Sequence, residues 1–105
     1  MSVKMTTRQV GDVTVVDTEG RITLGDGATT FRDTLRDLAN AGNKKLLLNL
    51  AEVSYIDSSG IGEMVSGFTT VANQGGQVKL LNLTKRVKDL LQITKLYTEI
   101  GRAHV

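Results

Sequence analysis

Val53-Ser54-Tyr55-Ile56-Asp57-Ser58-Ser59-Gly60-Ile61-Gly62 runs from a strand into a helix. Its apolar, β-branched opening ends at an acidic residue, and two hydroxyls and a glycine then begin a helical segment. Either Asp57 or Ser58 can serve as the N-cap, accepting a hydrogen bond from an amide that the first turn leaves orphaned. The same geometry sets a serine hydroxyl at the positive end of a helix dipole, where a phosphate can be accommodated. A plain helix cap also accounts for Asp57-Ser58-Ser59, because capping serines are common. Gly60 and Gly62 ask for more, since each glycine weakens a first helical turn by up to about 1 kcal/mol relative to alanine. They fit a close approach, either of another protein or of this helix to its own sheet.

Working outward, Lys45-Leu46-Leu47-Leu48-Asn49-Leu50 is an almost continuous apolar run, too short for a helix. It reads as a strand buried on both faces, as in a parallel sheet. On the other side, Ile61, Met64, Val65, Phe68 and Ala72 form a helical stripe that Gln74-Gly75-Gly76 stops. Gln77-Val78-Lys79-Leu80-Leu81 predicts another strand, and Thr84 can cap a third helix with Val87, Leu90 and Leu91 inward.

Nearer the N-terminus, Phe31, Leu35 and Leu38 recur at helical spacing from Ala28, and Gly42 ends that helix. Before it the period is two: Val13, Val15 and Asp17 face one way, Thr14, Val16 and Thr18 the other. Gly11-Asp12 is a hairpin signal between Met5–Val10 and Val13–Thr18. Arg21-Ile22-Thr23-Leu24 predicts a short further strand, and Gly25-Asp26-Gly27 a loop. The expected fold class is α/β: one domain with a mixed β-sheet packed against α-helices, an opening β-hairpin leading into alternating helices and strands.

Composition narrows the function. A chain of 105 residues with 40% hydrophobic and 23% charged residues suits one globular domain. The net charge of +2 is spread along the chain, and the aromatics are only Phe31, Tyr55, Phe68 and Tyr97, so nucleic acid is not an expected partner. Lys85-Arg86-Val87-Lys88 reads as a solvated helix end. The absence of cysteine excludes disulfides, thiolate nucleophiles and cysteine-based metal sites. Met1-Ser2-Val3-Lys4 lacks a signal-peptide core, and no apolar run approaches the roughly 20 residues needed to span a bilayer. A cytoplasmic protein without membrane insertion is expected. His104 is the single histidine, remote from any predicted element. No Ser–His–Asp triad, Gly-x-Ser-x-Gly elbow or Walker-type phosphate loop is present, so no catalytic residues, metal site or cofactor are expected.

Asp57-Ser58-Ser59-Gly60-Ile61-Gly62 resembles the signature of the anti-sigma factor antagonists, small bacterial STAS-domain proteins, position for position. The upstream Leu48-Asn49-Leu50 strand and the downstream Gly-Gly plus Val-Lys-Leu strand are similar too, and the likeness runs from about Met5 to about Tyr97. The resemblance implies that Ser58 is phosphorylated by a partner anti-sigma factor, an ATP-dependent serine kinase, with Ser59 the second choice. It implies that the unphosphorylated form binds that kinase and frees the sigma factor, and that a serine phosphatase resets the switch. Asp57 and Gly60 then form the environment of the phosphosite, and Gly62, Glu63 and Ser66 belong to the partner surface. Ordinary solvated helix surface accounts for Glu63 and Ser66 as well.

Two features depart from the family pattern. Many relatives carry an acidic residue after the glycine of the second strand, in a Gly-x-Leu/Ile-Asp pattern. Here Gly20-Arg21-Ile22 is followed by Thr23, and Asp26 is the displaced candidate for that role. Glu99-Ile100-Gly101-Arg102-Ala103-His104-Val105 can be back-translated as GAGATCGGAAGAGCACACGTC, which reads like a common sequencing-adapter sequence. The expectation is a STAS domain over residues 1–98 that lacks its C-terminal strand and helix, followed by an anomalous tail over residues 99–105. Two alternatives accompany the phosphorylation switch. One is a non-switched STAS scaffold subunit of a stress-signalling or lipid-transport complex, with Ser58 only a cap. The other is a serine hydrolase using Ser58, for which no general base is in evidence.

Overall fold

Gly11, with φ 63°, and Asp12 close a hairpin between β1 (Val3–Val10) and β2 (Val13–Ile22), leaving Val10 opposite Val13. The positive φ suits the twist of a two-residue hairpin, so the turn and the register are set together. The computed structural model describes residues 3–85, 87–88 and 98–101. After the hairpin come α1 (Asp26–Asn40), β3 (Lys45–Ile56), α2 (Ser58–Asn73), β4 (Gln77–Leu81) and β5 (Thr98–Gly101). The strands form one sheet in the order β1-β2-β3-β4-β5, with β1 antiparallel to β2 and every later pair parallel. This is the mixed α/β sheet that the sequence predicts.

Period-two burial puts Val16, Leu48 and Leu80 side by side across three strands, on the face that both helices cover. Phe31 of α1 meets Phe68 of α2 edge-on, with ring centroids 6.5 Å apart, and Leu35, Met64 and Val71 fill the space around them. Edge-to-face packing of this kind adds about 0.5–1.5 kcal/mol to the burial of the two rings. Both helices end in the same way. Gly42 and Gly75 take positive φ, and the two amides after each C-cap return to carbonyls in the last turn: Gly42 to Ala39, Asn43 to Leu38, Gly75 to Ala72 and Gly76 to Val71. These are Schellman closures, and the glycines that stop the helices in the sequence are the residues that make them possible.

Several expectations need correction. Arg21-Ile22 is not a separate strand. It continues β2 past register shifts at Asp17/Glu19 and Gly20/Arg21, where Gly20 at φ 104° absorbs the irregularity. Thr23 and Leu24 fall outside the sheet. β3 continues to Ile56, and it is one-sided: Leu46, Leu48 and Leu50 are buried, whereas Leu47 and Asn49 on the other face are half-buried. The stripe of α2 is centred on Gly60, Met64, Gly67, Phe68 and Val71; Ala72 is exposed and Ile61 and Val65 are half-buried. The cause is that two glycines lie at the centre of the packed face, where a search for large apolar side chains does not count them.

Thr84 caps as predicted, its hydroxyl accepting from the Val87 amide at 3.3 Å, and Val87 is buried. Leu90, Leu91, Arg86, Tyr97 and His104 lie outside the described residues. A short strand, β5, spans the start of the tail and lies parallel to β4. An open sheet edge offers N–H and C=O groups to any extended segment, so pairing there depends little on side-chain identity.

Candidate functional site

Ile22 pairs with Ile56, so the parallel strands β2 and β3 end together at their C-terminal ends, and Asp57 is the next residue on the β3 side. Its backbone is extended (φ −97°, ψ −177°), as an N-cap requires. One carboxylate oxygen, Oδ1, accepts from the Gly60 amide at 2.7 Å. The other, Oδ2, accepts from the Leu24 amide at 3.0 Å, across 33 residues of sequence. The Asp57 amide itself donates to the Ile22 carbonyl at 3.4 Å. The Leu24 and Gly60 N–H groups hold the Asp57 carboxyl below its ordinary value of 3.8, because both favour the charged form. Asp57, not Ser58, is therefore the cap, and it remains an anion at neutral pH.

Gly60 is buried directly over β2. A Cβ there would stand 1.9 Å from the Ile22 carbonyl oxygen and 2.9 Å from Ile56 Cγ2. Gly62 is the opposite case, exposed and with nothing within 4 Å of where a Cβ would be. Ser58 is exposed and Ser59 half-buried, and the Ser58 hydroxyl has no hydrogen-bond partner among the described residues. The structure thus brings Asp57, Ser58 and Gly60 together at the start of α2, with Gly62 and Ser66 exposed further along it. Glu63 is half-buried and is not a free acid: its carboxylate accepts from Arg32 Nη1 of α1 at 3.2 and 3.3 Å, tying the two helices together.

The displaced acid, Asp26, opens α1 and is exposed. The loop before it is fixed by the Ala28 amide on the Thr23 carbonyl at 2.8 Å and by the Thr29 amide on Gly25 at 3.1 Å. Gly27 is also packed on β2, though less closely than Gly60, since a Cβ there would stand 2.4 Å from the Arg21 carbonyl oxygen. Three further residues at this end of the two strands escape a reading of the sequence. Leu24 is 78% exposed, Tyr55 is 44% exposed, and the Arg21 guanidinium lies 5.3 Å from the Tyr55 ring centroid. An apolar residue next to a glycine-rich loop was the available signal for Leu24, but it also fits a strand end.

One family model, the STAS domain, matches residues 4–105. The chain belongs to the STAS-domain family. Within it, this STAS domain is 44% identical over 69 residues to the anti-sigma-B factor antagonist of Bacillus subtilis (strain 168), a match covering 66% of this chain and 62% of that relative. The chain thus spans less than two-thirds of that relative's length. Its fold is similar to the anti-sigma factor antagonist SpoIIAA in its unphosphorylated form, with TM-score 0.74, 17% identity and coverage of 92% and 87%. The Bacillus cell fate determinant SpoIIAA in the phosphorylated form gives TM-score 0.76, 17% identity and coverage of 96% and 93%. Among the described residues, no helix is long and apolar enough to cross a membrane.

Proposed function

We propose that this STAS domain is an anti-sigma factor antagonist, a binding module switched by phosphorylation of Ser58. In this reading the unphosphorylated form binds an anti-sigma factor serine kinase in the cytoplasm and so releases a sigma factor. Phosphorylation by that kinase ends the binding, and a serine phosphatase restores it. One observation carries the reading: Asp57 occupies the cap, so the exposed Ser58 hydroxyl has no structural task at a helix N-terminus. A serine that only capped the helix would have its oxygen on an amide of the first turn. The 44% identity to an anti-sigma-B factor antagonist supports the same reading.

Electrostatics gives the switch its sign. A phosphoserine adds roughly 1.5 to 2 negative charges. At Ser58 the N-terminal amides of α2 attract it, the ionised Asp57 opposes it, and a partner surface would have to desolvate it. Gly62 and Ser66 are exposed one helical turn apart and available to that partner, and Glu63 beside them is already paired to Arg32. A coupling of about 1–3 kcal/mol between phosphate and partner gives a 5- to 150-fold change in affinity, enough for a switch.

Intact mass with site mapping, after incubation with bacterial lysate and Mg-ATP, tests the proposal against a Ser58→Ala control. One phosphate on Ser58, absent from the control, is the expected result. No phosphate, from a lysate known to hold such kinases, would instead favour a scaffold role. Partner affinity should fall for Ser58→Asp, with little change in melting temperature for either variant. Equal affinity of phosphorylated and unphosphorylated protein would sink the switch.

A further inference from the structure

A helix cap needs one acceptor oxygen, and Asp57 Oδ1 supplies it to Gly60. The second oxygen does something that capping does not require. It fixes the backbone of Leu24, whose side chain is 78% exposed and contributes nothing to the core. The loop over residues 23–25 is therefore anchored at three points, by Thr23 and Gly25 carbonyls accepting from α1 amides and by the Leu24 amide on Asp57. Ordering a loop costs roughly 1–2 kcal/mol of backbone entropy per residue. Here that ordering fixes the backbone that carries a large apolar side chain left in water.

Its place is informative. Leu24 lies two residues beyond Ile22, Tyr55 and Ser58 flank Ile56 and Asp57, and Ile22 pairs with Ile56. The large exposed hydrophobics Leu24 and Tyr55 thus sit at the same C-terminal end of β2 and β3 that Ser58 follows. Single exposed leucines are ordinary. An exposed leucine whose amide is held by the residue preceding a phosphoacceptor is a different arrangement, because a single carboxylate sets both positions.

We propose that Asp57 is a positioning residue, whose carboxylate holds Leu24 beside Ser58 so that Leu24 is the apolar contact for the kinase that phosphorylates this serine. The inference rests on the functional reading above and adds to it a residue of the kinase-docking surface and the device that orients it. Asp57→Asn separates the two tasks of the carboxylate. Asparagine is as good an N-cap as aspartate, so its oxygen keeps the Gly60 amide. Its NH2 group only donates, so the Leu24 amide loses its acceptor. The substitution also removes the negative charge beside Ser58, which by itself favours phosphorylation. A slower reaction therefore has the opposite sign to the charge effect.

The test compares wild type, Asp57→Asn, Leu24→Ala and the double variant. The probe is the purified anti-sigma-B factor named by the Bacillus subtilis relative, with Mg-ATP. Initial rates of Ser58 phosphorylation are expected to fall about 10- to 100-fold in Asp57→Asn, the range for a misplaced contact remote from the chemistry. Leu24→Ala should fall similarly, and the double variant no further, because both act through one contact. In Asp57→Asn without partner, the Leu24 amide should exchange its hydrogen faster while Gly60 stays protected, and the melting temperature should fall only by the loss of one hydrogen bond. Phosphorylation of Asp57→Asn at the wild-type rate, or losses that add in the double variant, would overturn the proposal. A wild type that accepts no phosphate would overturn the functional reading and the kinase contact with it. Unchanged exchange at Leu24 would overturn the clamp regardless of any kinase.

Discussion

The two faces of α2 carry the same residue type for opposite reasons. On the inner face, a Cβ at Gly60 would stand 1.9 Å from the Ile22 carbonyl oxygen and one at Gly67 2.8 Å from Leu35 Cδ1, so both glycines are packed against their neighbours. On the outer face Gly62 has open space around it. The inner glycines are explained by the fold, which brings the helix down onto β2 and α1. Nothing among the described residues explains the outer one, which costs helix stability without a packing return. Substitutions on the inner face should therefore register as stability, and those on the outer face as partner binding.

Gly60→Ala is the strongest test of the inner face. Its Cβ meets backbone, which cannot swing aside, and the expected loss exceeds about 4 kcal/mol, seen as failure to fold or a collapsed chemical-denaturation midpoint. A well-folded Gly60→Ala protein would break the comparison. Gly67→Ala is milder, because the obstacle is the far end of the Leu35 side chain. Overpacking of about 1–3 kcal/mol is partly offset by the better helix propensity of alanine, so a modest fall in denaturation midpoint is expected.

Gly62→Ala should move the other way. It gains up to about 1 kcal/mol of stability from helix propensity, while partner affinity falls because a methyl group intrudes on the close approach. A lower melting temperature would show that the outer glycine also serves the fold. Unchanged partner affinity would remove it from the interface.

The smallest effect is one of pH. Asp57 is held below 3.8 by the Leu24 and Gly60 amides, Asp17 by Arg8 and then Asn49, and Asp12 by Lys45. Each folded-state pKa lies below its unfolded value, so each contribution is fully present above about pH 4–5 and is lost as pH falls through the lowered pKa. Stability should stay level from neutrality to about pH 5 and decline below it. Asp57→Asn, with one such carboxyl fewer, should decline less steeply in an acid titration followed by circular dichroism.

Much of the site was legible because it is local. A cap, its glycine and the two serines between them occupy four consecutive positions, Asp57 to Gly60, and helix geometry relates them without reference to the rest of the chain. The hairpin at Gly11-Asp12 and the helix stops at Gly42 and Gly75 are local in the same sense. The partners of Asp57 and Glu63 were not legible, because Leu24 lies 33 and Arg32 lies 31 residues away in the chain. Glu63 reads as solvated surface in the sequence, and only the packing of α1 beside α2 pairs it.

By itself the sequence determined the alternation of strands and helices, the mixed sheet expected of it, and a serine at a helix N-terminus. Periodicity and backbone propensity act over a few residues and leave their trace in every window. The tertiary structure decided which glycine is buried, that Asp57 and not Ser58 is the cap, and that the Leu24 amide is held by the Asp57 carboxylate. Those outcomes depend on where separate elements come to rest, and no local pattern encodes a distance between residues far apart in the chain.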